Sequence, residues 1–479
     1  FAMKKKFQNI FSLLIVGLLM FTACTDDWEE MNTDPNNPTT VPGTNLLAQS
    51  IRYFGDYYYD AWFNMNNVST YAGHLGKIQY IDESRYYERE SVINTAWADL
   101  YRVAIDLENA KKFARQEDNP NLEAAALTFQ SLVLQIGTDS WRDMPFTEAI
   151  RGLNEITTPA YDEQETIYPA LMDSLAKAND LFNENSPRLI GAGDLLYGGE
   201  EGAEDMWQKF ANSIRLRMAN RVASVYPEAV TIRNNILSDA TTYPIMESNE
   251  DNAFLYYPGS APYKEPWQED SETRDDHAVA SYLIDYLVGN SDPRLSVIAK
   301  PLEDGSYNGV IPGVSDENIG SIAQYSRIGA LYRDNPSGYV PFMRYAEVKF
   351  IEAEATRTQT VFEEAIVASC VENGVDAGAA ATYAAGFDVN NDTDLFSQKW
   401  VALFKQGHEA WAETRRTDVP VMSAAPAARY PGHTRPPFMY PYPTNEQNLN
   451  SANLAPYAAD VVDKFWGKQM WWDERTGVQ

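Results

Sequence analysis

The 479-residue chain carries 68 acidic against 38 basic residues, a formal charge of −30. Such a field repels phosphate backbones and anionic lipid, which excludes nucleic-acid binding and unaided attachment to acidic membranes. Two cysteines, Cys24 and Cys370, supply no disulfide framework once one of them is modified, so the fold must rest on its core, which a chain of this length is able to bury.

The first element is not structural. Met3 is followed by Lys4, Lys5 and Lys6 and then by about a dozen apolar residues from Ile10 to Phe21, the length of an export-signal core and short of the roughly 20 needed to span a bilayer. Residues 1–23 are therefore expected to be a signal peptide, with Phe1 and Ala2 ahead of its start. The segment Phe21-Thr22-Ala23-Cys24 resembles a lipobox, which makes Cys24 the expected lipidation site and a lipid the expected anchor. Residues 24–44, acidic at Asp26 and Asp27 and then rich in Asn, Pro and Thr, are expected to form a tether.

From Leu46 onward the pattern becomes helical. Ile93, Trp97, Leu100, Ala104 and Leu107 recur at spacings of three and four, as do Leu122, Ala126, Phe129, Val133 and Ile136. Asp118-Asn119-Pro120 separates the two stripes, and so short a connection predicts an antiparallel helical hairpin. Further helices are expected around Tyr168–Phe182 and Trp207–Met218. Residues 239–342 change texture to Gly, Pro, Tyr and Asp, with one amphipathic stretch over Asp276–Val288, and are expected to form a loop-rich insertion. Helical patterning returns at Arg344–Thr356 and Phe396–Thr414. The expected fold is mostly α, an array of helix pairs of diverged tetratricopeptide type, although no 34-residue self-similarity is present.

Several segments together resemble the SusD/RagB family of outer-membrane nutrient-binding lipoproteins, in particular its SusD-like branch. They are Met31-Asn-Thr-Asp-Pro-Asn-Asn-Pro38, Trp207–Arg221, Arg344–Ala355, Gln398–Phe404 with Glu409–Arg416, and Tyr440–Asn448, in that order along the chain. The resemblance implies one SusD-like domain over residues 45–479. It also implies a surface-exposed outer-membrane lipoprotein that binds oligosaccharide, or in some relatives peptide, and delivers it to a TonB-dependent, SusC-like transporter without catalysis or cofactor.

Most of these motifs read as architecture. Trp400, Leu403, Phe404 and Trp411 share one helical face, Gly407 permits close helix approach, and Arg217, Arg221, Arg415 and Arg416 sit among carboxylates that suit buried ion pairs. The four histidines show no i, i+4 pair, and no nucleophile elbow or phosphate-binding loop occurs. Asp388, Asn390, Asp392 and Asp394 alternate like half of a calcium loop, but Thr393 replaces the required glycine and Lys399 the bidentate acid, so a turn with Asp394 capping the next helix is expected. A surface glycoside hydrolase is the rival reading, since two close carboxylates cannot be recognised from spacing.

Sugar recognition needs flat apolar platforms beside a few polar groups, which Tyr and Trp in loops supply. The expected ligand-binding residues are Tyr80 and Tyr86, ahead of the first helical hairpin, and Tyr263, Trp267 and Tyr325 in the insertion. Of the consecutive Tyr57, Tyr58 and Tyr59, at least one must face away from the core.

Overall fold

Leu47, Ile51, Phe54 and Tyr58 fall on one face of helix α1 (Gly43–Tyr58) and are fully buried, while Tyr57 on the opposite face is exposed. The structure, a computed structural model, describes residues 42–151, 155–183, 185–186, 193–199 and 201–478. The expected signal peptide and Cys24, with all but the end of the tether, lie outside these residues. Directly after α1 the chain enters a π-helix, Ala61–Val68, in which the Met65 N–H donates to the Asp60 carbonyl at 3.2 Å, five residues back. Asp60 caps it, its carboxylate accepting the Phe63 N–H at 2.7 Å. π-helical turns are rare and frequently mark functional sites.

Helices α2 (Glu90–Gln116) and α3 (Pro120–Trp141) form the expected hairpin. Asn119 starts α3 by accepting the Leu122 N–H at 3.1 Å, and Pro120 follows at the first helical position, where its missing N–H costs nothing. Every residue from Asn121 to Trp141 is buried, so α3 is the central rod of the array. Neighbours then pack in succession: α4 (Gln164–Leu181) on α3, α5 (Ala203–Arg221) on α4, and α6 (Pro227–Ser238) on α5.

The loop-rich segment that follows is held by two small antiparallel sheets. Strand β1 (Leu75–Lys77) pairs with β3 (His277–Val279), and β2 (Ala253–Tyr256) pairs with β4 (Tyr339–Met343). The expected continuous stretch Asp276–Val288 is divided: its first residues are β3, and helix α7 begins at Ser281 and ends at Gly289. Pairing with β1 claims His277–Val279 in preference to the helical pattern, an outcome that a short apolar run leaves open.

Helices α8 (Tyr345–Thr356) and α9 (Gln359–Glu372) pack as a further pair around Phe350, Phe362, Ile366 and Cys370. The single helix expected over Phe396–Thr414 is two, α10 (Asp392–Ala402) and α11 (Gly407–Thr417). Lys405, at φ 73°, breaks the helix, and its buried ammonium lies 3.0 Å from Glu265 and faces the rings of Trp267, Tyr332 and Tyr339. Gly407 does meet a neighbour closely, since a Cβ there would lie 2.4 Å from Ser69 Oγ. The α10 cap is Asn391, which accepts the Thr393 N–H, while Asp394 reaches back to accept the Asp388 N–H at 3.0 Å; the expected assignment of Asp394 as the cap is thus corrected. Asp394 sits one turn in, where its carboxylate reaches the preceding loop.

The arginines of the motifs on α5 and α11 lock this array from inside. Arg217 grips Glu347 at 2.6 Å, Arg221 bridges Asp139 and Glu409, and Arg416 binds Glu354 and Glu413 at 2.7 and 2.8 Å, tying α3, α5, α8 and α11 together. Arg415 differs: its guanidinium stacks on Trp411 and donates to the carbonyls of Phe438 and Asp139.

Candidate functional site

The β1–β3 pair sets up the site. Ile78 N–H donates to the Asp276 carbonyl at 2.7 Å, extending the ladder by one bond, so the residues after β1 and before β3 are held side by side at the surface. Tyr80 projects there with 67% of its surface exposed, on a backbone at φ 49°, and the Arg274 guanidinium lies 4.8 Å from its ring centre. A groove of about 750 Å³ runs from this pair to Tyr325, with Lys300, Arg327 and Arg333 along it.

Its polar groups are fixed in advance. Arg327 forms a two-point pair with Asp275, both bonds 2.9 Å, and also donates to the carbonyls of Ile322 and Tyr325. Arg333 joins the same carboxylate at 2.9 Å, and Arg274 binds Asp276. Burial alone would raise the Asp275 carboxyl, but the two guanidiniums outweigh it and hold that group below the ordinary carboxylate range. Tyr325 is half-buried and anchored by its hydroxyl, which donates to the Ile319 carbonyl at 2.7 Å, over a small apolar cluster of Ile78, Ala278 and Val310. Held at its hydroxyl in this way, Tyr325 lines the groove.

The groove continues into a recess of about 220 Å³ that shares Tyr80, Arg274 and Asp276 with it and adds Trp62, Asn66, Lys77 and Arg89. The π-helix supplies Trp62, 48% exposed, with the Arg89 guanidinium 4.9 Å from its ring, and His277 on β3 meets Asn66 at 2.8 Å. Burial pushes His277 down to about 3, so it is neutral at ordinary pH and serves as a fixed strut between strand and π-helix.

Of the five expected ligand-binding residues, Tyr80 and Tyr325 line this groove together. Trp267 is fully buried against Lys405 and Phe404, and cannot offer a ring face to solvent. Tyr86 is 4% exposed, packed among Tyr71, Phe465 and Trp466 with its hydroxyl accepting the Ala425 N–H at 2.9 Å. Both belong to the core because a large apolar body with one polar handle satisfies a loop-covered interior as well as it does a binding surface. Tyr263 is half exposed but rests on Arg52, 5.1 Å away, outside the groove lining. Trp62 and Arg274 were missed. Trp62 continues the Tyr57–Tyr59 run that reads as helix, and the available signal was Asp60 with Asn64, Asn66 and Asn67, which interrupt any apolar stripe. Arg274 is masked by its acidic neighbours.

Among the described residues no group of three or more His, Cys, Asp or Glu is placed to hold a metal ion, and no helix is long and apolar enough to cross a membrane.

Comparison with known proteins bears on the fold and the family. Residues 35–443 match the model of the SusD-like family described as starch-binding, associating with outer membrane. A chitin-binding SusD homologue from Flavobacterium johnsoniae superposes with a TM-score of 0.77 at 21% identity, over 91% of this chain and 98% of that one. SusD homologues from Bacteroides uniformis (TM-score 0.77, 21% identity, 90% of this chain and 99% of that one) and Parabacteroides distasonis (0.78, 18%, 90% and 98%) share the same fold. No curated protein matches the chain. With a family model that spans most of its length, the chain belongs to the SusD-like family.

Proposed function

We propose that this protein is a surface-exposed outer-membrane lipoprotein, anchored through Cys24, that binds oligosaccharide in the Tyr80–Tyr325 groove and passes it to a TonB-dependent, SusC-like transporter. SusD-like proteins are carbohydrate-binding accessory proteins rather than enzymes, and the groove chemistry agrees: Asp275 is held ionised by two guanidiniums, the opposite of what a general acid requires. The observation that carries the reading is the pair of aromatic residues, Tyr80 and Tyr325, that line a groove whose hydrogen-bonding groups are already oriented. Rigid aromatic platforms of this kind lose little rotamer entropy on contact with the C–H faces of sugar rings.

Calorimetric titration with a panel of soluble glycans tests this. A glycan that binds the wild type should bind Tyr80→Ala about tenfold more weakly, the equivalent of ~1.4 kcal/mol. Failure of every glycan to bind, or release of shorter sugars during incubation, would overturn the reading. The anchor is tested separately: Cys24→Ala should move the protein from the membrane fraction to the soluble one.

A further inference from the structure

Trp62 and Arg89 also border a further recess of about 390 Å³, between the end of α1, the first turn of the π-helix and the outward face of α2. Three hollows therefore follow one another along the surface. The groove shares Tyr80 and Arg274 with the smaller recess, and that recess shares Trp62 and Arg89 with the far one. Phe63, Val92 and Ala96 give the far recess an apolar lining, and the exposed Ser91 and Thr95 add hydroxyls.

Charge gives this line little to select by. Arg327 and Arg333 are bound to Asp275, Arg274 to Asp276, Lys300 to Asp334, and Lys77 and Arg89 to Glu83, so the lysines and arginines along it are already paired. In the far recess Asp60 accepts the Phe63 N–H, and Asp99 holds the Tyr53 hydroxyl and Arg102. Contact with aromatic rings is left to discriminate among glycans.

Those rings are concentrated here. Among the described residues Trp62 is the only exposed tryptophan, and Tyr57, Trp62 and Tyr80 are three of the six exposed aromatic residues. Arg89 braces Trp62 and Tyr53 braces Tyr57, its ring centre 4.3 Å away, yet both residues remain nearly half open. The groove alone already has the room of an ordinary small-ligand site, about 300–1,000 Å³. A short glycan can fill it and leave Trp62 and Tyr57 bare, whereas a longer one covers them.

We propose that the three hollows act as one track for a glycan chain running from Tyr325 past Tyr80 and over Trp62 to Tyr57, so that Trp62 makes the protein select long chains over short ones. The inference rests on the glycan-binding reading of the groove and adds to it the length of the ligand.

Calorimetric titration with maltooligosaccharides, xylooligosaccharides and N-acetylchitooligosaccharides, each a ladder from the dimer upward, tests it. In a ladder that binds, affinity should climb about tenfold or more between the dimer and chains long enough to pass Trp62. Trp62→Ala should remove most of that climb. A long chain also offers more registers to any single site, but that statistical gain would survive the substitution, which separates the two. Ser91→Trp, an exposed change that fills the far recess and lines neither of the other hollows, should curtail the climb independently of the π-helix. A flat ladder in the wild type, or a climb that persists in both variants, overturns this proposal and leaves the glycan reading standing; absence of binding by every glycan overturns both.

Discussion

Two arginine-rich regions of this molecule use the same chemistry to opposite ends. At the helix junction Arg217, Arg221, Glu347 and Glu409 are almost wholly buried, and each guanidinium lies against carboxylates from another helix. Along the groove Arg274, Arg327 and Arg333 pair just as closely with Asp275 and Asp276, yet Arg274 and Asp275 remain more than two-fifths exposed. Sealed pairs define how helices meet. Open pairs hold donors in fixed directions while water, or a ligand, still reaches them.

That contrast can be broken by substitution. Arg221→Ala should be the most damaging, because it strips Asp139 of its guanidinium and leaves buried Glu409 with Arg217 alone, 3.5 Å away; a loss of about 3–5 kcal/mol in denaturant unfolding is expected. A loss below about 1 kcal/mol would show that water enters the junction and that it is not sealed. Gly407→Ala, which thrusts a methyl toward Ser69, should cost about 1–3 kcal/mol in the same measurement.

His408 sharpens the picture through pH. It is buried at the junction, its Nε2–H donates to the Tyr58 carbonyl at 2.8 Å, and it is pushed by burial from 6.5 down to about 4. Below 6.5 the unfolded chain takes up a proton that the folded state refuses, so stability from this group is present above 6.5 and drains away as pH falls toward 4. The stability advantage of the wild type over His408→Gln should therefore shrink by up to ~1.4 kcal/mol per pH unit across that window. An advantage independent of pH would mean that the site is hydrated. The smallest effect on folding is expected from the groove: Arg274→Ala should change stability by less than about 0.5 kcal/mol yet weaken glycan binding severalfold, since it removes the support behind Tyr80.

The junction was more legible in the sequence than the groove. One-sided stripes such as Ile93, Trp97 and Leu100 have a period that only a helix satisfies, and arginines amid acids on those helices already implied inward pairs. The exception, Arg415, satisfies its guanidinium with carbonyls and a Trp ring, and carbonyls leave no trace in a sequence. Loop aromatics carry no period. Tyr80 and Tyr86 lie six residues apart in the same connection, and one is the most open of the expected platform residues while the other is in the core. What separates them is tertiary: β1 delivers Tyr80 to a surface, whereas the C-terminal segment around Phe465 and Trp466 closes over Tyr86. The two-part helix at Lys405 escaped for the same reason, since the buried acid and three rings that surround its ammonium come from distant parts of the chain.

The register of β1 on β3 joins residues 75–77 to residues 277–279, some two hundred positions apart. Because Tyr80 depends on one strand and Arg274 on the other, the groove comes into being only when this distant closure is complete, after most of the loop-closure entropy has been spent. Occupancy and folding are then linked by mass action. A ligand at a hundred times its dissociation constant would lend the closed chain about 2.7 kcal/mol, so a cargo-laden molecule should resist proteolysis at this seam longer than an empty one.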